Sequence, residues 1–132
     1  MLVDTSVLLA ATNWRDPGHT ASAAVLADNE WILPEPVLVE VDHMLRSRSI
    51  DRTAFLTLIQ TIESGQVDLA GLTADDYTRV RELYGQYPQM DFVDTAIVAL
   101  AERLKETTIA TLDHRDFRIV RPKHIPAFTL VP

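Results

Sequence analysis

Apolar positions along the chain fall into two rhythms, short unbroken runs and stripes spaced three and four residues apart. Met1-Leu2-Val3 is such a run, ending at Asp4, and Thr5 to Ala11 continues without a breaker, which predicts strand, turn and helix. Asp16-Pro17-Gly18 makes Trp14 to His19 a loop, and alanine-rich Thr20 to Asp28 is a second helix. Trp31 to Leu33 is the next strand. Pro34 and Pro36 bracket a turn, with Pro36 suited to the first position of a helix running to about Arg48. Asp51 to Glu63 carries Phe55, Leu58, Ile59 and Ile62 at helical spacing and stops at Gly65. Val67 to Leu69 is a strand. Thr73, with Asp75 and Asp76 behind it, opens a helix whose apolar stripe is Tyr77, Val80 and Tyr84, and Gly85 to Pro88 closes it. Val93, Ile97, Leu100 and Leu104 trace one face of a helix over Phe92 to Leu104, where Ala96 and Ala99 allow close approach to a sheet. Thr107 to Leu112 and Phe128 to Val131 are the last strands.

Strands alternating with helices at these intervals indicate the α/β class, a mostly parallel sheet covered on both faces, with more helix than strand. A chain of 132 residues forms one domain with one core.

That frame assigns positions to the acids. Asp4 and Asp113 each follow an apolar run and so stand at the carboxyl end of a strand, the edge at which open α/β sheets bind ligands. Asp94 lies in the first turn of a helix and Glu40 in the first turns of another, both directed off the apolar stripe; Asp91 is three residues before Asp94. Each has a blander role available. Asp4 and Asp91 suit helix N-caps, Asp113 to Asp116 suits a turn, and Glu40 suits a solvated face. Together they ask for more, because two carboxylates about 4 Å apart repel by roughly 4 kcal/mol at an effective dielectric near 20. A cluster of them needs a cation, and an all-oxygen donor set selects a hard one, Mg²⁺ or Mn²⁺.

Composition narrows the rest. Apolar residues make up 47% and charged residues 23%, the balance of a globular domain, and the absence of cysteine removes disulfides and thiolate metal sites. No run approaches a membrane span and no basic leader opens the chain, so a cytoplasmic setting is expected. Among His19, His43, His114 and His124 no metal-binding spacing occurs, and they read as surface or structural residues, with contact to a substrate a second option for His114 beside Asp113. No glycine-rich phosphate loop or nucleophile elbow is present. The net charge of −7 runs against polyanion binding, but attraction is set by local patches, and a bound cation inverts the sign of an acidic pocket. Ten of the 12 basic residues are arginine, grouped at Arg46, Arg48 and Arg52, at Arg79 and Arg81, and at Arg115, Arg118 and Arg121. Arginine grips phosphate through two bonds, though solvated helix faces account for most of them individually.

Val3-Asp4-Thr5-Ser6, Pro36-Val37-Leu38-Val39-Glu40-Val41, Asp94 to Ala101 and Thr111-Leu112-Asp113-His114-Arg115-Asp116-Phe117 resemble the four acidic motifs of PIN-domain nucleases. In order, spacing and length the chain is similar to the toxin ribonucleases of VapBC toxin–antitoxin pairs. The resemblance implies Mg²⁺ or Mn²⁺ held chiefly at Asp4 and Asp94, with Glu40 and Asp113 completing the pocket. Asp91 and Asp116 are further acids, either of which ligates directly or holds a water in place of Asp113. Thr5, Ser6 and Thr111 match hydroxyl positions that support the carboxylates. It implies hydrolysis of RNA by direct water attack, a VapB-type antitoxin whose C-terminal segment fills the groove, and homodimers. Two rivals remain: a catalytically silent PIN-like module that binds RNA or a partner, and a phosphoacceptor signalling domain. The second lacks its adjacent acids after the first strand, and Lys105 and Lys123 do not directly follow an apolar strand.

Overall fold

The computed structural model describes residues 1–47 and 52–132. Its elements run β1 (Leu2–Val3), α1 (Thr5–Thr12), α2 (His19–Asp28), β2 (Ile32–Pro34), α3 (Glu35–Ser47), α4 (Thr53–Glu63), β3 (Asp68–Ala70), α5 (Ala74–Gln86), α6 (Phe92–Leu104), β4 (Thr108–Ala110), α7 (His114–Ile119) and β5 (Thr129–Val131). Arg48 and Asp51, expected at the end of one helix and the start of the next, lie outside the described residues.

The five strands form one sheet in the order β3-β2-β1-β4-β5, and every pairing is parallel. The order reverses at β1, so right-handed crossovers lay helices on both faces. Leu2, Val3, Ile109 and Ala110 in the central strands are fully buried, as strands covered on both sides must be. Around them pack Val7, Leu33, Val37, Ile97 and Phe117. Helix α6 is buried nearly all round, from Thr95 through Glu102, which its alanines permit.

Two expectations need correction. The apolar stripe of α5 does not pass through its tyrosines: Tyr77 and Tyr84 are 53% and 58% exposed, while Asp76, Val80 and Leu83 are buried. The inward face is rotated because ion pairs with α6 must be accommodated there. The strand expected over Thr107 to Leu112 is shorter, since Leu112 N donates to Ser6 Oγ at 2.9 Å instead of continuing the ladder. The stretch following Asp113, for which a turn is one option, forms the short helix α7.

Candidate metal-binding cleft

At the carboxyl ends of β1 and β4, the point where the strand order reverses, the chain opens a cleft of about 310 Å³. Asp4, Glu40, Asp91, Asp94, Asp113 and Asp116 all line it, together with Thr5 and Ser6. The expected acids are thus brought to one place. The blander roles hold as well for Asp4, which caps α1, and Asp91, which caps α6, while Asp113 caps α7 instead of sitting in a turn. Capping is what fixes these side chains at the rim, where helix N-termini also favour negative charge.

Asp4 is the most firmly held. One carboxylate oxygen accepts from Thr5 N at 2.7 Å, and the other accepts from Ser6 Oγ at 2.7 Å and Thr111 Oγ1 at 2.8 Å. These bonds tie the end of β1 to the end of β4, because Ser6 Oγ and Thr111 Oγ1 are 3.4 Å apart. Asp91 and Asp94 form a reciprocal capping box: Asp94 N donates to Asp91 Oδ1 at 2.9 Å and Asp91 N to Asp94 Oδ2 at 3.2 Å. Burial raises the Asp94 pKa to about 7, with the charges of Asp91, Asp4 and Asp116 adding to the effect. Glu40 is raised in the same way, by burial and then by Asp91 and Asp4. Thr5 Oγ1 is buried without a hydrogen bond of ordinary geometry, yet lies near enough to Glu40 to favour its charged form.

Asp113 and Asp116 part company. Asp113 is exposed and accepts from Arg115 N at 3.3 Å, whereas Asp116 is 5% exposed, bonds Arg115 Nε at 3.1 Å and is the one whose charge Asp94 feels. His114 is turned to the backbone, its Nε2 donating to Thr111 O at 3.0 Å. Several of the arginines are engaged elsewhere: Arg46 with Asp42, Arg79 with Glu102 and Glu82, Arg103 with Asp76, and Arg121 with carbonyls at the end of α7. Leu9, Met44 and Gln89 also line the cleft and were not singled out from the sequence. Leu9 and Met44 sit four residues after Thr5 and Glu40, a helical spacing that would have found them. Gln89 lies outside any helix or strand and carries no such signal.

The donor set suits a hard divalent cation: all oxygen, with Asp94 and Glu40 raised by burial and then by the neighbouring acids. Among the described residues no three acids are grouped closely enough to grip an ion by themselves. Mg²⁺ does not require that, since it keeps several waters and takes one or two carboxylates directly. The unpartnered Thr5 hydroxyl at the wall is a further polar contact for such a water. The residues fit the ion.

An all-parallel α/β sheet carrying an acid-lined cleft at its switch point defines the class. A family model, the PIN domain, matches residues 1–122. Over 136 aligned positions spanning the whole of both chains, the sequence is 30% identical to ribonuclease VapC26 of Mycobacterium tuberculosis. Among solved structures it is similar to M. tuberculosis VapC20, a sarcin-ricin loop cleaving toxin, with a TM-score of 0.77 and 23% identity over 86% of this chain and 90% of that one. A toxin–antitoxin complex from Klebsiella pneumoniae gives 0.67 and 17% identity, covering 97% of this chain and 98% of that one. VapBC2 from Rickettsia felis, bound to a promoter DNA fragment, gives 0.64 and 19% identity over 98% and 95%. The chain belongs to the PIN-domain family, with the VapC-type ribonuclease toxins. No helix among the described residues is long and apolar enough to cross a membrane.

Proposed function

We propose that this chain, one PIN domain throughout, is the toxin of a toxin–antitoxin pair and hydrolyses RNA phosphodiesters with Mg²⁺ or Mn²⁺ in the acid cleft. The observation that carries the reading is the convergence of six acids on one cleft at the switch point of the sheet. Asp4 and Asp94 are the principal ligands. Glu40 and Asp116 complete the set, and Asp91 and Asp113 act mainly by capping the helices that position it.

A divalent ion bound there supplies Lewis-acid activation of water and neutralises charge on the leaving oxygen. Thr5, Ser6 and Thr111 hold both oxygens of Asp4 in one orientation, so no reorganisation is needed when the ligand arrives. Asp94, with its pKa near 7, gives up its proton as positive charge enters the cleft. Glu40 reaches in from α3, and its raised pKa suits its Oε atoms to accept the proton of the attacking water. The family reading adds a VapB-type antitoxin, whose basic side chain would occupy the same acids, a homodimeric assembly and a cytoplasmic setting. The test is cleavage of RNA by wild type and Asp4→Asn protein across a Mg²⁺ and Mn²⁺ titration. A loss of about a hundredfold or more is expected, the scale seen when a group stabilising developing charge is removed. Equal cleavage by the variant would overturn the assignment.

A further inference from the structure

The cleft explains cutting but not holding. Without its cation the cleft turns six acids to a polyanion, and a chain of net charge −7 offers no general attraction to offset them. Affinity for RNA has to come from a local feature, and the loop between α1 and α2 carries one. Trp14 is 74% exposed, and the Arg15 guanidinium lies over its ring, 5.0 Å from the centroid. Arg15 forms no ion pair among the described residues. The ring therefore carries on it a positive charge that has no ion-pair partner among the described residues, while most of the residue stays exposed to solvent.

This exposure is built into a fixed loop. Arg15 N donates to Asn13 Oδ1 at 3.2 Å, Asp16 N to Asn13 O at 2.8 Å, Gly18 N to Asp16 Oδ1 at 2.8 Å and His19 N to Asp16 O at 3.0 Å. His19 Nδ1 donates to Ala10 O at 3.0 Å, tying the loop to the end of α1. The loop also abuts the cleft. A Cβ on Gly18 would stand 2.9 Å from Leu112 Cδ1, so bare backbone lets the loop lie against Leu112, the residue before cleft-lining Asp113. Trp14 is four residues from Gly18, at most about 14 Å of chain. Beyond Leu112 lie Arg115, with a side chain 76% exposed, and exposed Arg118.

We infer that Trp14 and Arg15 form a substrate-binding platform for single-stranded RNA, Trp14 stacking an unpaired base a few nucleotides from the scissile bond and Arg15 meeting a neighbouring phosphate. An aromatic face takes any base, and its attraction does not depend on net charge, which is the contribution an acidic protein lacks. A guanidinium on the ring favours an anionic ligand over an apolar protein surface. The inference rests on the ribonuclease reading and adds to it the form of RNA that is held.

The test is binding of a fluorescent, unstructured oligoribonucleotide in EDTA, alongside cleavage kinetics of the full chain in Mn²⁺. Trp14→Ala is expected to weaken binding roughly tenfold and to raise KM with kcat kept, the size of one lost base stack. Trp14→Phe should recover most of the affinity. Arg15→Ala should lower the salt dependence of binding by about one phosphate contact. RNA affinity and KM unchanged in Trp14→Ala would overturn the proposal, as would retention of both while association with antitoxin or with a second copy is lost. Wild-type protein that binds RNA through Trp14 but does not cut it would sink the ribonuclease reading and leave this platform standing. Cutting that is indifferent to Trp14 would do the reverse.

Discussion

Between α5 and α6, Asp76 and Glu102 are buried to 4% and 9% exposure and each is met by arginine, whereas the cleft at the ends of β1 and β4 is lined by six acids. In the seam Arg79 grips both oxygens of Glu102, at 2.7 and 2.8 Å, and Arg103 lies 2.9 Å from Asp76. Lys123 joins through Glu82 at 3.0 Å. In the cleft the only guanidinium bonded to those acids, among the described residues, is Arg115 on Asp116. The seam is electrically complete and its carboxylates hold the fold together. The cleft is incomplete, and burial, with the neighbouring acids adding to it, holds the Asp94 pKa up at about 7. The same residue type is a fastener in one place and a receptor for outside charge in the other.

The contrast can be broken most forcefully in the seam. Glu102→Ala leaves the Arg79 guanidinium, only 14% exposed, without its main partner. Removing one member of a buried pair costs about 3–5 kcal/mol. Urea unfolding should show a loss of that order, while cleavage per folded molecule stays near wild type. A cleavage defect without a stability defect would mean that the seam serves the chemistry.

In the cleft the corresponding change is felt by the ligand rather than the fold. Thr111→Val removes the hydroxyl that donates to Asp4 at 2.8 Å and accepts from Asp113 N at 3.0 Å. Groups that orient a metal ligand typically account for 10–100-fold in affinity, and a loss of about that size is expected in Mn²⁺ titration calorimetry. Unaltered affinity would show that the hydroxyl serves only the β4–α7 connection.

Sequence pattern conveyed the cleft more fully than the seam, for a physical reason. Asp4, Asp94 and Asp113 are placed by local signals, a strand end or the first turn of a helix, and Glu40 and Asp116 follow at helical spacing. Asp76 and Glu102 meet arginines 27 and 23 residues away along the chain. No periodicity encodes such a pairing, so arginines read as solvated or as free for phosphate prove to be engaged with acids far along the chain. The same long-range contact turned α5 away from its tyrosines. Strand limits were least legible, since strands of two or three residues end where a partner's hydrogen bonds end. Helix α7, six residues long, is too brief to show a period.

The smallest expected effect separates the two regions by sign. The folded-state pKa of Asp94, about 7, lies above its ordinary 3.8. Between those values the folded protein keeps a proton that the unfolded chain has released, so the cation-free protein loses stability as pH rises through that window. Asp94→Asn removes the titration while its side-chain oxygen can still accept from Asp91 N. The variant should therefore be more stable than wild type above pH 7, by about 1 kcal/mol once partial exposure is discounted. The two should converge toward pH 4. Mg²⁺ should then raise the melting temperature of wild type at pH 8 by more than that of the variant, because the variant has lost one of the two principal ligands. Removing an acid thus weakens the seam and strengthens the empty-handed cleft. If Asp94→Asn instead lowered stability at every pH, the cleft would be a fastener like the seam, and the distinction between the two regions would fall.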